Sequence, residues 1–110
     1  MPRAPSEMLQ GTVDVLILRT LSWQPMHGYG ISAWVRERSR DVLSIEGAAL
    51  YQALHRLERK RLIVATWGLS ENNRKAKFYG LTTRGRKQLE QQRKQWEQFS
   101  DAVALILRDA

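Results

Sequence analysis

The residues with the clearest chemistry lie in the middle of the chain, where polar, basic and aromatic side chains recur at helical spacing. Tyr51, His55 and Arg59 follow one another at steps of four, with Gln52 and Arg56 beside them. Steps of four place residues on one face of a helix. In the major groove of DNA, arginine pairs with guanine and glutamine with adenine. The spacing therefore predicts a helix that reads a DNA groove, and an ordinary solvated helix face is the alternative.

The two ends of this stretch suit different parts of a duplex. Ala48 and Ala49 leave its start slim, so we expect Ala49 to lie close to the groove. Tyr51 offers its ring to a sugar or a thymine methyl group, and its hydroxyl to a phosphate. Arg59 and Lys60, at the far end, are expected to bind phosphates.

A second basic group follows, in and after a segment that is rich in turn-forming residues. Its members are Asn73, Arg74, Lys75 and Lys77. Glycine, serine and asparagine mark a turn, so Asn73, Arg74 and Lys75 are expected at a hairpin tip, and Lys77 on the returning strand. The basic side chains of this hairpin would probe phosphates or the minor groove. A basic loop by itself is usually just solvated. Its position directly after the predicted reading helix favours a role in DNA binding.

Nothing in the sequence assembles a catalytic or metal site. The two histidines, His27 and His55, lie on different predicted elements, and no Asp, Glu or Cys accompanies them at ligand spacing. There is no Ser-His-Asp arrangement and no glycine-rich phosphate loop. The chain has no cysteine, which removes disulfides and thiolate chemistry. We therefore predict a protein without enzymatic activity, metal or cofactor.

The elements that must position these groups follow from hydrophobic periodicity and turn residues. We expect helices over Ser6 to Trp23, from the turn at His27 to about Ser39, from about Gly47 to Lys60, and from Thr82 or Thr83 to about Leu107, with strands over Leu62 to Trp67 and Lys75 to Leu81. The predicted fold class is mainly α with a small β-hairpin. It is a winged helix-turn-helix over residues 1–82, followed by a long C-terminal dimerisation helix over residues 83–110.

The last helix carries apolar residues at alternating steps of three and four, which is a coiled-coil seam with one polar position, Gln92. Its apolar members are Leu89, Trp96, Phe99, Val103 and Ile106. At 1.5 Å per residue the helix is about 40 Å long, too long for so small a domain to cover, so these residues are expected to form a dimer interface. Trp96 is an interface aromatic on one interpretation. On the other, it lines a slot for a planar effector with its symmetry mate.

Composition supports a polyanionic partner. The chain of 110 residues has a net charge of +7, and such an excess attracts nucleic acid. A membrane surface is the rival. However, no apolar run approaches the roughly 18 residues that span a bilayer, and the start MPRAPSEM lacks the apolar core of a signal peptide. We therefore expect no membrane partner and a cytoplasmic location.

Several spaced motifs together resemble the PadR family of bacterial transcriptional regulators. They are Leu9 to Thr12, His27 to Ile31, Ala49 to Glu58, Trp67-Gly68 and Asn72 to Thr82. The resemblance implies a winged helix and a C-terminal dimerisation helix, as in the compact subfamily. It also implies a reading helix with Tyr51, Gln52 and His55, a wing with Asn73, Arg74 and Lys77, and an effector pore lined by an aromatic in the place of Trp96.

The sequence departs from the family at two glycine positions. Ala48 stands where the family usually has Gly before the reading helix, with Gly47 one residue earlier, so the helix start is expected to shift. Arg61 stands where Gly usually follows the helix. Since Gly suits a left-handed turn, either the turn differs here or Arg61 is strained.

These observations predict a sequence-specific DNA-binding transcriptional regulator. The resemblance implies a homodimeric repressor that binds an operator with inverted repeats and is released by a small planar or aromatic effector. Two alternatives remain open. One is a winged-helix module that binds other proteins, and the other is a protein that coats DNA without sequence preference.

Overall fold

The computed structural model describes residues 6–45 and 47–108, which form four helices and a three-stranded sheet. The elements are α1 (Ser6–Trp23), β1 (Met26–His27), α2 (Gly28–Arg38), α3 (Gly47–Arg59), β2 (Ile63–Leu69), β3 (Lys75–Leu81) and α4 (Thr83–Arg108). This order confirms the predicted fold class, with one more strand than expected. The ends of the two predicted domains, residues 1–5 and 109–110, lie outside the described part.

Helix α1 is the centre of the core, because it contacts all three of the other helices as well as the sheet. Its residues Ile17, Leu18 and Leu21 are almost completely buried. Thr20 is buried as well, and its hydroxyl donates to the Leu16 carbonyl at 2.8 Å. Such a bond satisfies a polar group that burial would otherwise destabilise. A helix placed in this way fixes the positions of its neighbours.

The strand β1 was not predicted, since two residues are too few to show any periodicity. Met26 pairs with Tyr79 and His27 with Phe78, which gives the sheet order β1-β3-β2. The His27 side chain then caps α2, because its Nδ1 accepts a hydrogen bond from the Gly30 amide at 3.0 Å. The predicted turn is therefore a strand end and a helix cap at the same time.

The wing is the antiparallel pair β2–β3, in register from Ile63 opposite Leu81 to Leu69 opposite Lys75. β2 extends two residues beyond the predicted end at Trp67. It continues through Gly68, where the Phe78 ring lies 3.1 Å from the position that a Cβ would take. A larger residue would push this ring aside. Gly68 therefore lies within the strand and accommodates the Phe78 ring, and the strand does not end there.

The glycine departures have a clear structural outcome. Helix α3 begins at Gly47, whose φ of 59° lies in the left-handed region. It ends at Arg59, and Arg61 follows in the turn with a φ of 60°. There the Leu62 amide donates to the Leu57 carbonyl at 3.0 Å and the Arg61 amide to the Glu58 carbonyl at 2.9 Å. This is a Schellman turn, so the turn is the usual one and Arg61 adopts the strained conformation.

Helix α4 is capped by Thr82, the first of the two predicted candidates. The Thr82 hydroxyl oxygen accepts from the Gly85 amide at 2.9 Å, which satisfies a free donor of the first turn. A Cβ at Gly85 would overlap the Leu62 carbonyl, so glycine allows the helix to start close against the link between α3 and β2. Helix α4 is 26 residues long, and its second half extends beyond the core.

Candidate nucleic-acid interface

Helix α3 has two distinct faces. Leu50, Ala53, Leu54 and Leu57 are buried in the core. The opposite side is open, with Tyr51 58% exposed. Ala49, Gln52, His55 and Arg59 are also exposed. The structure thus brings five of the predicted contact residues to one accessible surface, and the burial of the leucines orients that surface away from the core.

Arg56 differs from the expectation that it faces a base. Its Nη2 donates to Oδ1 of Asp14 at 2.6 Å, and its Nε donates to Oδ2 at 3.4 Å. The two side chains are only 22% and 11% exposed. Arg56 stands at the border between the buried and open faces of α3, where helical spacing cannot decide its direction. The carboxylate on α1 decides it, and the guanidinium turns inward.

The predicted contact residues of the wing fall into two groups. Asn73 and Arg74 are exposed at the turn, where Asn73 has a φ of 59°. Lys75 and Lys77 lie against neighbours: the Lys75 ammonium is 5.0 Å from the centre of the Trp67 ring, and the Lys77 ammonium is 3.7 Å from Glu58 Oε1. The Glu58 contact is a partly exposed ion pair between α3 and the middle of the wing. All four predicted residues therefore lie on the wing, and Lys77 is paired with Glu58 in this DNA-free structure.

A cleft of about 630 Å³ separates α2 and α3 from the wing. Its lining includes Tyr29, Tyr51 and Trp67 together with Lys75 and Lys77. Tyr29 is 80% exposed and Trp67 is 64% exposed. Rings and ammonium groups are what a sugar-phosphate chain packs against. Trp67 lies on the same face of β2 as the buried Ile63, and it is exposed because the wing extends beyond the core at this point.

Tyr79 forms the inner wall of this cleft. Burial raises the pKa of its phenol above the ordinary value, and the nearby Glu58 carboxylate raises it further. The phenol is therefore neutral over the physiological range and adds no negative charge to the cleft.

A second groove, of about 300 Å³, lies between α1 and α4. Gly11, Thr12 and Val15 form one wall, and Trp96 and Phe99 form the other. The two aromatic rings are 5.9 Å apart. The groove is apolar and open along one side, and it contains the tryptophan that was expected to line an effector slot.

The predicted seam of α4 divides into two parts. Leu89 packs against the chain's own core, because the first turns of α4 lie on α1. Beyond it, Trp96, Phe99 and Val103 are about half exposed, and Ile106 is 77% exposed. Leu105 and Leu107 are also exposed. Leu89 thus stabilises the subunit, whereas the far half of the helix leaves its apolar residues uncovered.

Within residues 6–45 and 47–108, no group of three or more His, Cys, Asp or Glu side chains is arranged to hold a metal ion. In the same part of the chain, no helix combines the length and the apolar character needed to cross a bilayer.

A three-helix core, an open reading face and a basic hairpin define the class of winged helix-turn-helix regulators. The sequence model of the PadR-like transcriptional regulator family matches residues 17–91. The chain therefore belongs to the PadR-like family, and it is a DNA-binding transcriptional regulator.

Individual relatives agree with this assignment. An uncharacterised protein X of Lysinibacillus sphaericus is 30% identical over 102 residues, which is 93% of this chain and 94% of that protein. A solved transcriptional regulator from Clostridium thermocellum is 30% identical with a TM-score of 0.79, over 89% of this chain and 95% of that one. A PadR-like transcriptional regulator from Bacillus cereus is 28% identical with a TM-score of 0.79, over 96% and 100%.

Proposed function

We propose that the protein is a homodimeric repressor that recognises a specific duplex operator and is released from it by a small effector. The observation that carries this proposal is the open face of α3, where Tyr51, Gln52 and His55 stand together beside a basic wing. Such a face matches the width and the hydrogen-bonding pattern of a major groove. The DNA-binding unit is residues 1–82.

The contact residues divide by role. Gln52 and His55 are the base readers, and Ala49 allows the helix to approach closely. Tyr51 and Arg59 bind the sugar-phosphate chain beside the groove. On the wing, Asn73, Arg74, Lys75 and Lys77 bind the neighbouring phosphates, and Lys77 exchanges Glu58 for a phosphate when DNA arrives. Arg56 has no direct role in base readout in this scheme, because Asp14 already holds its guanidinium.

Pairing of two copies follows from α4. Residues 83–110 serve as the dimerisation helix, and the exposed Trp96, Phe99, Val103 and Ile106 are its interface. Leaving this many large apolar groups in water is unfavourable. A two-fold pair places two reading helices in successive major grooves about 34 Å apart, which requires an inverted repeat in the operator.

The groove between α1 and α4 is the proposed effector site. Trp96 and Phe99 present ring faces there, and a symmetry mate would close the open side. Planar or aromatic compounds stack on such rings. An effector held between two copies alters the angle of the α4 helices and thereby the spacing of the reading helices.

The experiment that tests DNA recognition is selection of binding sites from a random duplex library, followed by footprinting. We expect a selected site with two-fold symmetry, bound at physiological salt at least tenfold more tightly than a scrambled duplex. Failure to bind any duplex at low salt would favour the protein-interaction module. Equal binding of the selected and scrambled duplexes would favour the DNA-coating protein.

A further inference from the structure

Asp14 is a buried acidic residue, 8% exposed, on the central helix α1. Its carboxylate receives two donors of the Arg56 guanidinium, at 2.6 and 3.4 Å. Two-point pairing of this kind fixes the direction of both side chains as well as their distance. The pair therefore joins α1 to the middle of α3 by a contact with a defined geometry.

The remaining contacts of α3 with the core are of another kind. Leu50, Ala53, Leu54 and Leu57 provide apolar burial, and apolar burial has no directional preference. A helix held only by such residues can roll or slide slightly at little cost. Recognition of a base edge, in contrast, requires placement to within about 0.5 Å and 10–20°.

Arg56 lies one helical turn after Gln52 and directly after His55. An anchor at this position controls the orientation of the two proposed base readers. Stability alone does not require an ion pair here, because apolar residues of similar size hold two helices together at least as well. What the charged pair adds is direction.

We propose that Asp14 is a specificity-determining positioning residue, which holds Arg56 and thereby sets the orientation in which α3 presents Gln52 and His55 to the bases. Asp14 itself is too deeply buried to touch DNA. The inference rests on the proposed function. It adds to the residues that determine specificity one on α1, which does not itself contact a base.

The test compares Asp14→Asn, Arg56→Lys and the apolar double variant Asp14→Leu/Arg56→Met with the unchanged protein. Binding to the selected duplex and to a scrambled duplex is measured by fluorescence anisotropy over a range of salt concentrations. Glu90→Gln is the matched control, because it also neutralises the carboxylate partner of an arginine, Arg93, but on α4 and away from the reading face. Thermal melting shows that each variant is folded.

We expect the preference for the selected duplex to fall about tenfold in all three test variants, a value typical of one lost base contact. Affinity for scrambled DNA and its salt dependence are expected to stay unchanged, since no phosphate contact is lost. The Glu90→Gln control is expected to keep full preference. Selection repeated with Asp14→Asn is expected to return a site degenerate at the base pairs read by Gln52.

Two results would overturn the inference while leaving the proposed function intact. An unchanged preference in folded variants would show that the pair is only structural. Tighter binding of all duplexes by Asp14→Asn, with a steeper salt dependence, would show that released Arg56 is itself a DNA contact. If the unchanged protein binds no duplex, the proposed function fails first and the inference with it.

Discussion

At the scale of the residue, Arg61 carries backbone strain that has a clear structural reason. It occupies the left-handed position of a Schellman turn, at φ 60°, where a side chain is disfavoured by about 1–2 kcal/mol. Its side chain is exposed, so the cost is in the backbone. The turn is kept because it allows α3 to lead directly into β2.

Replacing this residue should therefore stabilise the protein. We expect Arg61→Gly to raise the free energy of unfolding by about 0.5–1 kcal/mol, since glycine relieves the left-handed strain but gains freedom in the unfolded chain. Urea denaturation measures the change. Lys60→Gly, one residue earlier, is the matched control and is expected to destabilise. A loss of stability in Arg61→Gly would contradict the assigned strain.

The raised pKa of Tyr79 predicts a pH dependence. Because burial favours the neutral phenol in the folded state, its contribution to stability is complete below the ordinary pKa of about 10. That contribution is lost as the pH rises through the folded-state value. We expect Tyr79→Phe to lose less stability than the unchanged protein between neutral and alkaline pH, as measured by urea denaturation. Tyr51→Phe, whose hydroxyl lies in the exposed cleft, is the control, and equal behaviour of all three proteins would contradict this.

Single residues also show where sequence reasoning succeeds and where it stops. The step-of-four pattern placed Tyr51, His55 and Arg59 on the open face of α3, because that face is a local property of the helix. It misplaced Arg56, because the partner that captures this side chain lies 42 positions away. The exposure of Trp67 could not be predicted from its strand position, because alternation places it on the same face as the buried Ile63 and only the fold shows that the core ends before it.

At the scale of the element, the boundaries of the four helices agree with the sequence to within one or two residues. Amphipathic periodicity and caps are local, and this made them predictable. Strand β1 was missed because it exists only through its pairing with β3. The long α4 was predicted as one seam, but only the fold shows that Leu89 belongs to the core and Ile106 does not.

The wing and the reading helix are expected to respond differently to substitution. Arg74→Ala should weaken binding to the selected and scrambled duplexes equally and reduce the salt slope by about one, as for a lost phosphate contact. Gln52→Ala should instead reduce preference for the selected duplex and leave the salt slope unchanged. Anisotropy titrations distinguish the two patterns. The same pattern in both variants would show that the two faces are wrongly assigned.

The groove between α1 and α4 makes a separate prediction. Planar cationic compounds that stack on Trp96 should quench tryptophan fluorescence in a saturable manner. Trp96→Leu should abolish this quenching, whereas Trp23→Leu, which removes an exposed indole outside the groove, should keep it. An absence of quenching across a panel of such compounds would argue against an effector at this position.

At the scale of the whole molecule, the described residues extend 54 Å in one direction but only 30 and 22 Å in the others. The long direction reflects α4, whose apolar far half is left uncovered by the residues that the structure describes. The length of the helix predicted that one small domain could not cover it, but only the fold shows at which residue the core ends.

We expect charge on this far half to separate the subunits. Ile106→Asp should convert a dimer into single subunits in sedimentation velocity experiments, because a carboxylate cannot be buried there without a partner. Gln98→Asp adds the same charge on another side of α4 and is expected to leave the dimer intact. If the unchanged protein sediments as one subunit at every concentration, the two-fold arrangement fails.

The proposed pairing through the uncovered half of α4 has a consequence for how operator occupancy depends on the amount of protein. Below the dissociation constant of the pair, the amount of dimer grows with the square of the subunit concentration, so operator occupancy changes more steeply than protein abundance. A twofold rise in the number of chains would then raise occupancy up to about fourfold. In the proposed dimer, the exposed leucines and isoleucine of this half of α4 would thus give the regulator a threshold in its own copy number.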